Sequence, residues 1–256
     1  MLTGLAHGLD VIEFLAGAGA PVALGDVATA ISMSKPGTHR ILNTLCLRGF
    51  VRRENGGVYR LGYKLCEIGW AVPDAQLASR AAPVMQWLAD TEGDGAILGA
   101  IDRGFEVLYL SVIESRQTVR VYIDAGSRLP AHVTATGLAC IAWLPPESLA
   151  MVIPETLPAW TEKTITEPDV LFRELERIRI RGFAQTLGTF RADVGGVAAP
   201  IFAADGSVIA ALCVSSPLYR IDADWNKRIP QAVMTAARKI SGAEQSTLRP
   251  RVAAYA

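Results

Sequence analysis

The chain has 256 residues, of which half are hydrophobic and one fifth are charged, and its formal net charge is zero. This composition is typical of a globular protein and excludes a disordered chain, and the length suffices for two domains of ~100–200 residues. No apolar run reaches the ~18 residues of a spanning helix and no basic-then-apolar leader is present, so we expect a cytoplasmic protein without a membrane partner. Four widely spaced cysteines favour reduced thiols, and neither they nor other residues form a metal or cofactor motif.

The zero net charge conceals an uneven distribution. Residues 1–64 contain seven Lys or Arg and four acids, a sum of +3, whereas residues 65–256 contain 18 bases and 21 acids, a sum of −3. All seven bases of the first part fall within residues 33–64, together with one acid, Glu54. Because clustered positive charge attracts polyanions, this pattern indicates that only the first part of the chain meets nucleic acid.

Two helices are predicted before this basic segment. Residues 4–16 carry apolar side chains at helical spacing, at Leu5, Leu9, Ile12 and Leu15. Residues 26–31 form a second short apolar face. Residues 22–24 are either a very short strand or the start of the second helix.

The segment from Met33 to Arg48 is typical of a helix with one apolar and one polar face. Ser34 is a good N-cap, and Pro36 suits the first turn because its missing N–H would have no partner there. Gly49 is placed to end the helix. The apolar face consists of Ile41, Leu42, Leu45 and Cys46. The side chains expected to point away from it are Lys35, Thr38, His39 and Arg40.

A β-hairpin is predicted directly after this helix. Val51 and Val58 lie on its two arms, and Asn55-Gly56 between them is a strong turn signal. A helix followed by a basic hairpin is the arrangement of a winged helix-turn-helix, in which the helix enters the major groove and the wing lies along phosphates. Charge alone would also fit an ordinary solvated α+β surface.

The remainder of the chain indicates an α+β domain with an antiparallel sheet. We place a linker helix at 65–77, with a kink or break expected soon after it at Pro83, and the rear domain at 78–242. A flexible tail is predicted at 243–256. Strands are predicted at 96–100, 106–113, 119–123, 194–202 and 208–215. Helices are predicted at 73–91, 132–143, 166–181 and 222–241.

Several stretches of the sequence match the pattern of one known protein family. In the first domain, 1–64, the matching stretches are GLDVIEFL at 8–15, LGDVA at 24–28, KPGTHRIL at 35–42, GFV at 49–51 and YRLG at 59–62. In the rear domain they are GSRLPAHVTATG at 126–137, RIRGFA at 179–184, GVAAPIF at 196–202 and AALCVS at 210–215. Together these stretches resemble the IclR family of bacterial transcription regulators. The resemblance implies an N-terminal winged helix-turn-helix, a linker helix and a C-terminal GAF-like effector-binding domain.

The resemblance and the charge pattern together give candidate contacts to double-stranded DNA. The candidates near base edges are Thr38, His39 and Arg40. The candidates for phosphate contacts are Lys35, Arg52, Arg53 and Arg60. Ser34 and Gly37 complete the DNA-binding set. Gly37 departs from the family, whose members usually carry Ser or Thr there, and this removes a potential contact to DNA.

The family resemblance also implies an effector pocket between the Ala-rich helix and the sheet. The residues carried over at the start of that helix, where free N–H groups suit a carboxylate, are Thr134, Ala135, Thr136 and Gly137. The other carried-over residues are Leu129, Val133, Thr186, Cys213 and Ser215. The alternative interpretation is that Thr134 and Thr136 only cap the helix and that Cys213 is a core thiol. Because Leu138 and Thr186 replace charged residues common in the family, we hypothesise a larger, partly aromatic carboxylate.

We therefore expect a ligand-responsive, sequence-specific regulator of a catabolic operon. One winged helix-turn-helix domain buries too little surface on DNA for tight binding, so a homodimer or homotetramer on a two-fold operator is expected. Two other function classes stay open. One is a GAF-like enzyme module in which His132, the only histidine of the rear domain, acts as a base, although no nucleophile motif accompanies it. The other is a protein-interaction module whose basic head binds an acidic partner.

Overall fold

The computed structural model describes residues 3–102 and 104–247. The chain divides into two compact units, Met1–Gln76 and Leu77–Ala256. The helix that leads from the first unit into the second is α5, Pro73–Glu92. It runs through Pro83 without a break, so of the kink or break predicted there the break is wrong.

The first unit consists of short helices around a small antiparallel sheet. Its helices are α1 Thr3–Gly17, α2 Leu24–Ala30, α3 Lys35–Leu47 and α4 Lys64–Trp70. Its strands are β1 Val22–Ala23, β2 Val51–Arg53 and β3 Val58–Leu61, in the order β1-β3-β2. The ambiguous residues 22–24 thus supply both a short strand and the start of α2. This is the winged helix-turn-helix that the sequence predicts.

The core of the first unit forms where the apolar faces of its helices meet the hairpin. The residues buried there are Val11, Leu15, Val27, Leu42, Val51 and Tyr59. Because α3 contributes Leu42 to this core, the opposite side of α3 faces outward. The apolar face read from the sequence therefore fixes the rotation of α3 about its own axis.

The second unit is built on one six-stranded antiparallel sheet with the order β6-β5-β4-β9-β8-β7. The strands are β4 Gly95–Ile101, β5 Glu106–Ile113, β6 Arg128–Pro130, β7 Ala184–Leu187, β8 Val194–Phe202 and β9 Val208–Pro217. After α5, the helices are α6 Ala135–Ile141, α7 Pro146–Val152, α8 Pro168–Arg181 and α9 Ala223–Thr247.

The two faces of this sheet carry different helices because side chains alternate along each strand. On one face, α5 and α9 pack on residues such as Leu98 and Leu212. On the other face, α6 and α8 pack on residues such as Ile97, Tyr109 and Cys213. The second face also holds the pocket described below.

Three details of the second unit differ from the sequence-based prediction. Residues 119–123 form no strand; β5 pairs instead with Arg128–Pro130, which occupies the edge that a strand at 119–123 would need. The elements α7 and β7 had no strong sequence signal. Helix α9 extends to Thr247, so residues 243–247 belong to it rather than to the predicted tail, and residues 248–256 lie outside the described part.

Within the described ranges, no helix combines the length and the apolar character that crossing a membrane requires. Among the same residues, no group of three or more His, Cys, Asp or Glu side chains is arranged to hold a metal ion.

Candidate nucleic-acid interface and ligand pocket

Helix α3 presents a polar outer face that begins at its N-cap. The Ser34 hydroxyl accepts a hydrogen bond from the Gly37 N–H at 3.4 Å, as expected for a cap at this position. Lys35, His39 and Arg40 are exposed on the following turns. The structure therefore places these three side chains where a duplex could reach them.

Thr38 does not belong to that outer face. Its side chain is fully buried, and Oγ1 donates to the Ser34 carbonyl at 3.1 Å. The prediction that Thr38 lies near base edges is therefore wrong, because position 38 lies on the same side of α3 as the core residue Leu42. Gly37 also offers little to DNA, since it has no side chain and its N–H is directed to Ser34.

Asn43 is an exposed residue of the same face that the sequence analysis missed. Its Nδ2 lies 3.4 Å from His39 Nδ1, one helical turn earlier. Its spacing of three residues from Arg40 and four from His39 is the signal that could have identified it. His39, Arg40 and Asn43 thus form one continuous polar patch.

The hairpin after α3 carries its arginines on two sides. Arg52 and Arg60 face each other across β2 and β3, and both approach Glu54 Oε1, at 3.6 Å from Arg52 Nη2 and 3.2 Å from Arg60 Nη1. The guanidinium of Arg53 lies near the ring of Tyr59, at 5.9 Å from its centroid. Arg53 and Arg60 are exposed and Arg52 is partly exposed, so a phosphate could replace Glu54 as the partner of Arg52 and Arg60.

A pocket of the second unit lies between α6, the sheet and two loops. Its lining residues are Ile97, Tyr109, Val121, Ile123, Val133, Thr134, Ala135, Thr136, Thr186, Phe190, Val194, Gly195, Gly196, Cys213 and Ser215. None of these side chains is charged at neutral pH. The lining combines apolar walls with hydroxyl groups, which suits a ligand that is largely apolar with a few polar atoms.

The start of α6 is held close to the sheet by small residues. A Cβ on Gly99 would lie 2.9 Å from Thr136 Cγ2, and a Cβ on Gly137 would lie 2.4 Å from the backbone of Ala131. Thr134 caps α6, because its Oγ1 accepts from the Gly137 N–H at 3.0 Å. As the first two residues of α6, Ala135 and Thr136 have N–H groups with no acceptor within the helix.

Seven of the nine predicted pocket residues are brought together: Val133, Thr134, Ala135, Thr136, Thr186, Cys213 and Ser215. Leu129 and Gly137 do not line the pocket, and those two predictions are wrong. Leu129 packs against the core from the edge strand β6, and Gly137 turns toward Ala131. Leu138 is also buried in that core, so it does not determine the polarity of the pocket wall.

The pocket residues that were missed lie partly on correctly predicted strands and partly on segments that the sequence did not place. Val121 and Ile123 stand on the segment taken for a strand, and their inward alternation with exposed Tyr122 explains that misassignment. Phe190 lies on a loop, where its ring packs against Trp160 at 5.1 Å between centroids. Tyr109 alternates inward along β5, which strand periodicity could have revealed.

The titratable groups of the pocket are uncharged at neutral pH. Burial raises the pKa of the Cys213 thiol to about 12. Burial also raises the pKa of the Tyr109 hydroxyl above its ordinary value, and the nearby Cys213 acts in the same direction. Both groups are therefore neutral hydrogen-bonding partners, and Tyr109 can donate from its O–H.

Comparisons with known proteins agree with this architecture. The family model described as IclR helix-turn-helix domain matches residues 4–55, and the model described as bacterial transcriptional regulator IclR C-terminal matches residues 70–242. The transcriptional regulator BhcR of Paracoccus denitrificans is 30% identical over 243 residues, 94% of this chain and 86% of BhcR. XynR of Escherichia coli K12 is 28% identical over 94% of this chain and 98% of XynR.

Solved structures give the same result. The IclR protein of Thermotoga maritima is 26% identical, with a TM-score of 0.80 over 96% of this chain and 100% of its own. An IclR homologue from Microbacterium hydrocarbonoxydans, complexed with 4-hydroxybenzoate, is 25% identical, with a TM-score of 0.83 over 95% of this chain and 99% of its own. With its winged helix-turn-helix, its pocket and these matches, the chain belongs to the IclR family and is a ligand-responsive, DNA-binding transcriptional regulator.

Proposed function

We propose that this regulator senses a small aromatic monocarboxylate and controls a catabolic operon through a specific operator. The single observation that carries the proposal is the lining of the pocket. The lining combines the apolar side chains of Ile97, Val121 and Phe190 with several hydroxyl groups, and no lining side chain is charged. A small, strongly hydrated acid would gain little from such walls, whereas an aromatic ring would bury apolar area against them.

The carboxylate of such a ligand would be held by neutral donors. We place it near the start of α6, where the N–H groups of Ala135 and Thr136 lack acceptors within the helix and the Thr136 hydroxyl lies in the lining. Tyr109 offers a further O–H. The homologue bound to 4-hydroxybenzoate supports this ligand class, since that molecule combines a ring with one carboxylate.

Isothermal titration calorimetry on the full-length protein tests the ligand class. We expect 4-hydroxybenzoate or a related benzoate to bind, and glyoxylate and pyruvate to bind at least tenfold more weakly. Thr136→Val should weaken the benzoate without unfolding the protein. Thr235→Val, on the exposed side of α9, is the control and should bind the benzoate with the same affinity as the wild-type protein. Tight binding of glyoxylate with no response to benzoates would contradict the proposal.

The operator would be read by the outer face of α3. We assign base contacts to His39, Arg40 and Asn43, and phosphate contacts to Lys35 and the hairpin arginines Arg52, Arg53 and Arg60. A single winged helix buries too little surface for tight specific binding, so we propose a homodimer, or a homotetramer of two dimers, on a two-fold operator. Sedimentation of the protein with and without operator DNA tests the stoichiometry, and a monomer bound tightly to one half-site would contradict it.

We propose no catalytic role for the second unit. His132 is 1% exposed, its Nε2 lies 3.1 Å from the Pro158 carbonyl oxygen, and its ring stacks on Phe105. It is absent from the pocket lining. Turnover of a benzoate that disappears in His132→Gln would contradict this part of the proposal.

A further inference from the structure

Arg220 joins three parts of the second unit that are far apart in sequence. Its Nη1 donates to the carbonyl oxygen of Val119 at 2.8 Å, and its Nη2 donates to Asp94 Oδ1 at 2.6 Å. Its Nε lies 3.3 Å from the hydroxyl of Ser216, at the end of β9. One guanidinium therefore connects a loop, the start of β4 and the end of β9.

The contact at Asp94 is built into the interior. Asp94 is only 4% exposed, and its second oxygen accepts from the indole N–H of Trp225 at 3.1 Å. A buried carboxylate with both oxygens engaged has a fixed position. Asp94 follows α5 by two residues, so the arginine is attached to the chain immediately beyond the end of that helix.

The contact at Val119 belongs to the pocket. Residues 117–123, here called the wall segment, form no strand, and Val121 and Ile123 of this segment line the pocket. The residues just before the wall segment are attached to the end of α5 as well. Ser115 Oγ donates to the Gly93 carbonyl at 2.7 Å, and Arg116 Nη2 lies 3.0 Å from Asp90 Oδ1.

The pocket is too small for the proposed ligand unless one wall moves. Its volume is about 40 Å³, whereas a cavity that holds benzene measures ~150 Å³. The sheet is fixed by its ladder of hydrogen bonds and α6 by its contact with the sheet. The loop that carries Phe190 is held by hydrogen bonds from Thr161 Oγ1 to the Gly188 carbonyl at 2.6 Å and from Thr164 Oγ1 to the Thr189 carbonyl at 2.7 Å. The wall segment has no ladder, so it is the wall that yields at least cost when a ring enters.

We propose that Arg220 is a positioning residue for the effector response. When a ring displaces the wall segment, the pull on the Val119 carbonyl is transmitted through Arg220 to Asp94 and so to the end of α5. The inference rests on the proposed function, because it takes this pocket as the effector site. It adds the route by which occupancy reaches α5, the helix through which the chain enters the second unit.

Hydrogen–deuterium exchange of the full-length protein, with and without 4-hydroxybenzoate, tests the route. In the wild-type protein we expect the ligand to change the rate of hydrogen–deuterium exchange at least threefold, both in the wall segment and in peptides covering residues 88–95. In Arg220→Ala we expect the change in the wall segment to persist and the change at 88–95 to fall at least threefold. Calorimetric Kd values should differ by less than about tenfold, since Arg220 does not line the pocket.

The matched control is Arg120→Ala. Arg120 lies in the same wall segment but pairs with Glu114, at 3.0 Å, rather than with α5 or Asp94. It should keep both ligand-induced changes. Ser115→Ala is the second variant, for use if Arg220→Ala does not fold. It removes the hydrogen bond to the Gly93 carbonyl and the one accepted from the Gln117 N–H, and it should partially reduce the change at 88–95. An undiminished response at 88–95 in Arg220→Ala, or an equal loss in Arg120→Ala, overturns the inference.

A second exchange experiment uses variants without any ligand. It therefore separates failure of this inference from failure of the proposed ligand class. Val121→Trp should displace the wall segment by its added volume. We expect Val121→Trp to raise hydrogen–deuterium exchange at residues 88–95 when Arg220 is present. In the Val121→Trp/Arg220→Ala double variant we expect this increase to be at least threefold smaller. If 4-hydroxybenzoate does not bind, the ligand class fails while this second experiment still decides the route. Equal effects with and without Arg220 overturn it.

Discussion

Arg60 and Glu54 form an ion pair within the hairpin, with Arg60 Nη1 3.2 Å from Glu54 Oε1. The same oxygen lies 3.6 Å from Arg52 Nη2, so one carboxylate serves two arginines. Exposed ion pairs of this kind contribute only ~0–1 kcal/mol to stability, so a phosphate can replace Glu54 as the partner of these arginines. Glu54, the one acid among residues 33–64, therefore partly neutralises the positive charge of the hairpin.

Glu54→Gln should strengthen binding to DNA of any sequence. Because the substitution removes a negative charge that opposes the phosphates, we expect affinity to rise about two- to fivefold, or ~0.4–1 kcal/mol, at low salt. Fluorescence anisotropy with a duplex of random sequence at two salt concentrations measures the effect. Glu114→Gln, in an equivalent pair with Arg120 in the second unit, is the control. Unchanged affinity at low salt would show that the hairpin does not contact phosphates.

Thr38→Val should affect stability rather than DNA recognition. The substitution removes the hydrogen bond from Thr38 Oγ1 to the Ser34 carbonyl in a fully buried position, so we expect a loss of ~1 kcal/mol in the free energy of unfolding. The affinity of the folded protein for its operator should stay the same. Urea unfolding and DNA titration measure the two quantities. Thr44→Val, on the exposed side of α3, should change stability by less than ~0.5 kcal/mol.

Arg40→Ala and Asn43→Ala should each relax preference at one operator position. A bidentate contact from either side chain to a base edge contributes ~1–3 kcal/mol of discrimination. Affinities for an operator and its single-base variants measure this. Lys35→Ala is the comparison, because loss of a phosphate contact weakens all sequences alike. A uniform loss in Arg40→Ala would identify Arg40 as a phosphate contact instead.

Gly137→Ala should destabilise the second unit. The added Cβ would lie 2.4 Å from both the Cα and the carbonyl oxygen of Ala131, and backbone atoms cannot move aside as a flexible side chain can. We expect a loss of ~3 kcal/mol in the free energy of unfolding, at the upper end of overpacking costs. Chemical denaturation measures it. Gly242→Ala, inside α9 where a Cβ meets nothing within 4 Å, is the control; because Ala favours a helix over Gly, we expect it to raise the free energy of unfolding by up to ~1 kcal/mol.

Stability should fall as the pH is lowered below about 6.5, partly because of His132. Burial lowers the pKa of His132 from its ordinary value of 6.5. At pH values just below 6.5 the unfolded chain therefore binds a proton that the folded protein does not, and acidification favours unfolding. The contribution is fully present above pH 6.5 and is lost as the pH falls through the lowered value. Urea midpoints at several pH values should show a smaller acid dependence in His132→Gln, and an unchanged dependence would contradict this assignment.

The sequence by itself determined the elements whose signals are local. The cap at Ser34, the turn at Asn55-Gly56 and the periodic apolar positions of α3 act over a few residues, so they could be read without knowledge of the fold. The strands β8 and β9 were equally recognisable, because both are long and end at turn residues. All nine predicted pocket residues came from the family resemblance, and seven of them lie together in the structure.

The tertiary structure decided which apolar and polar groups face each other. Residues 119–123 alternate as a strand would, yet Arg128–Pro130 pairs with β5, and strand pairing depends on partners far away in sequence. The inward side of Thr38 was fixed by the packing of α3 against its unit. Arg220 contacts both Val119 and Asp94, and Asp94 lies 126 residues before it in the sequence. Only folding brings these residues together, so no local sequence pattern could predict the contacts.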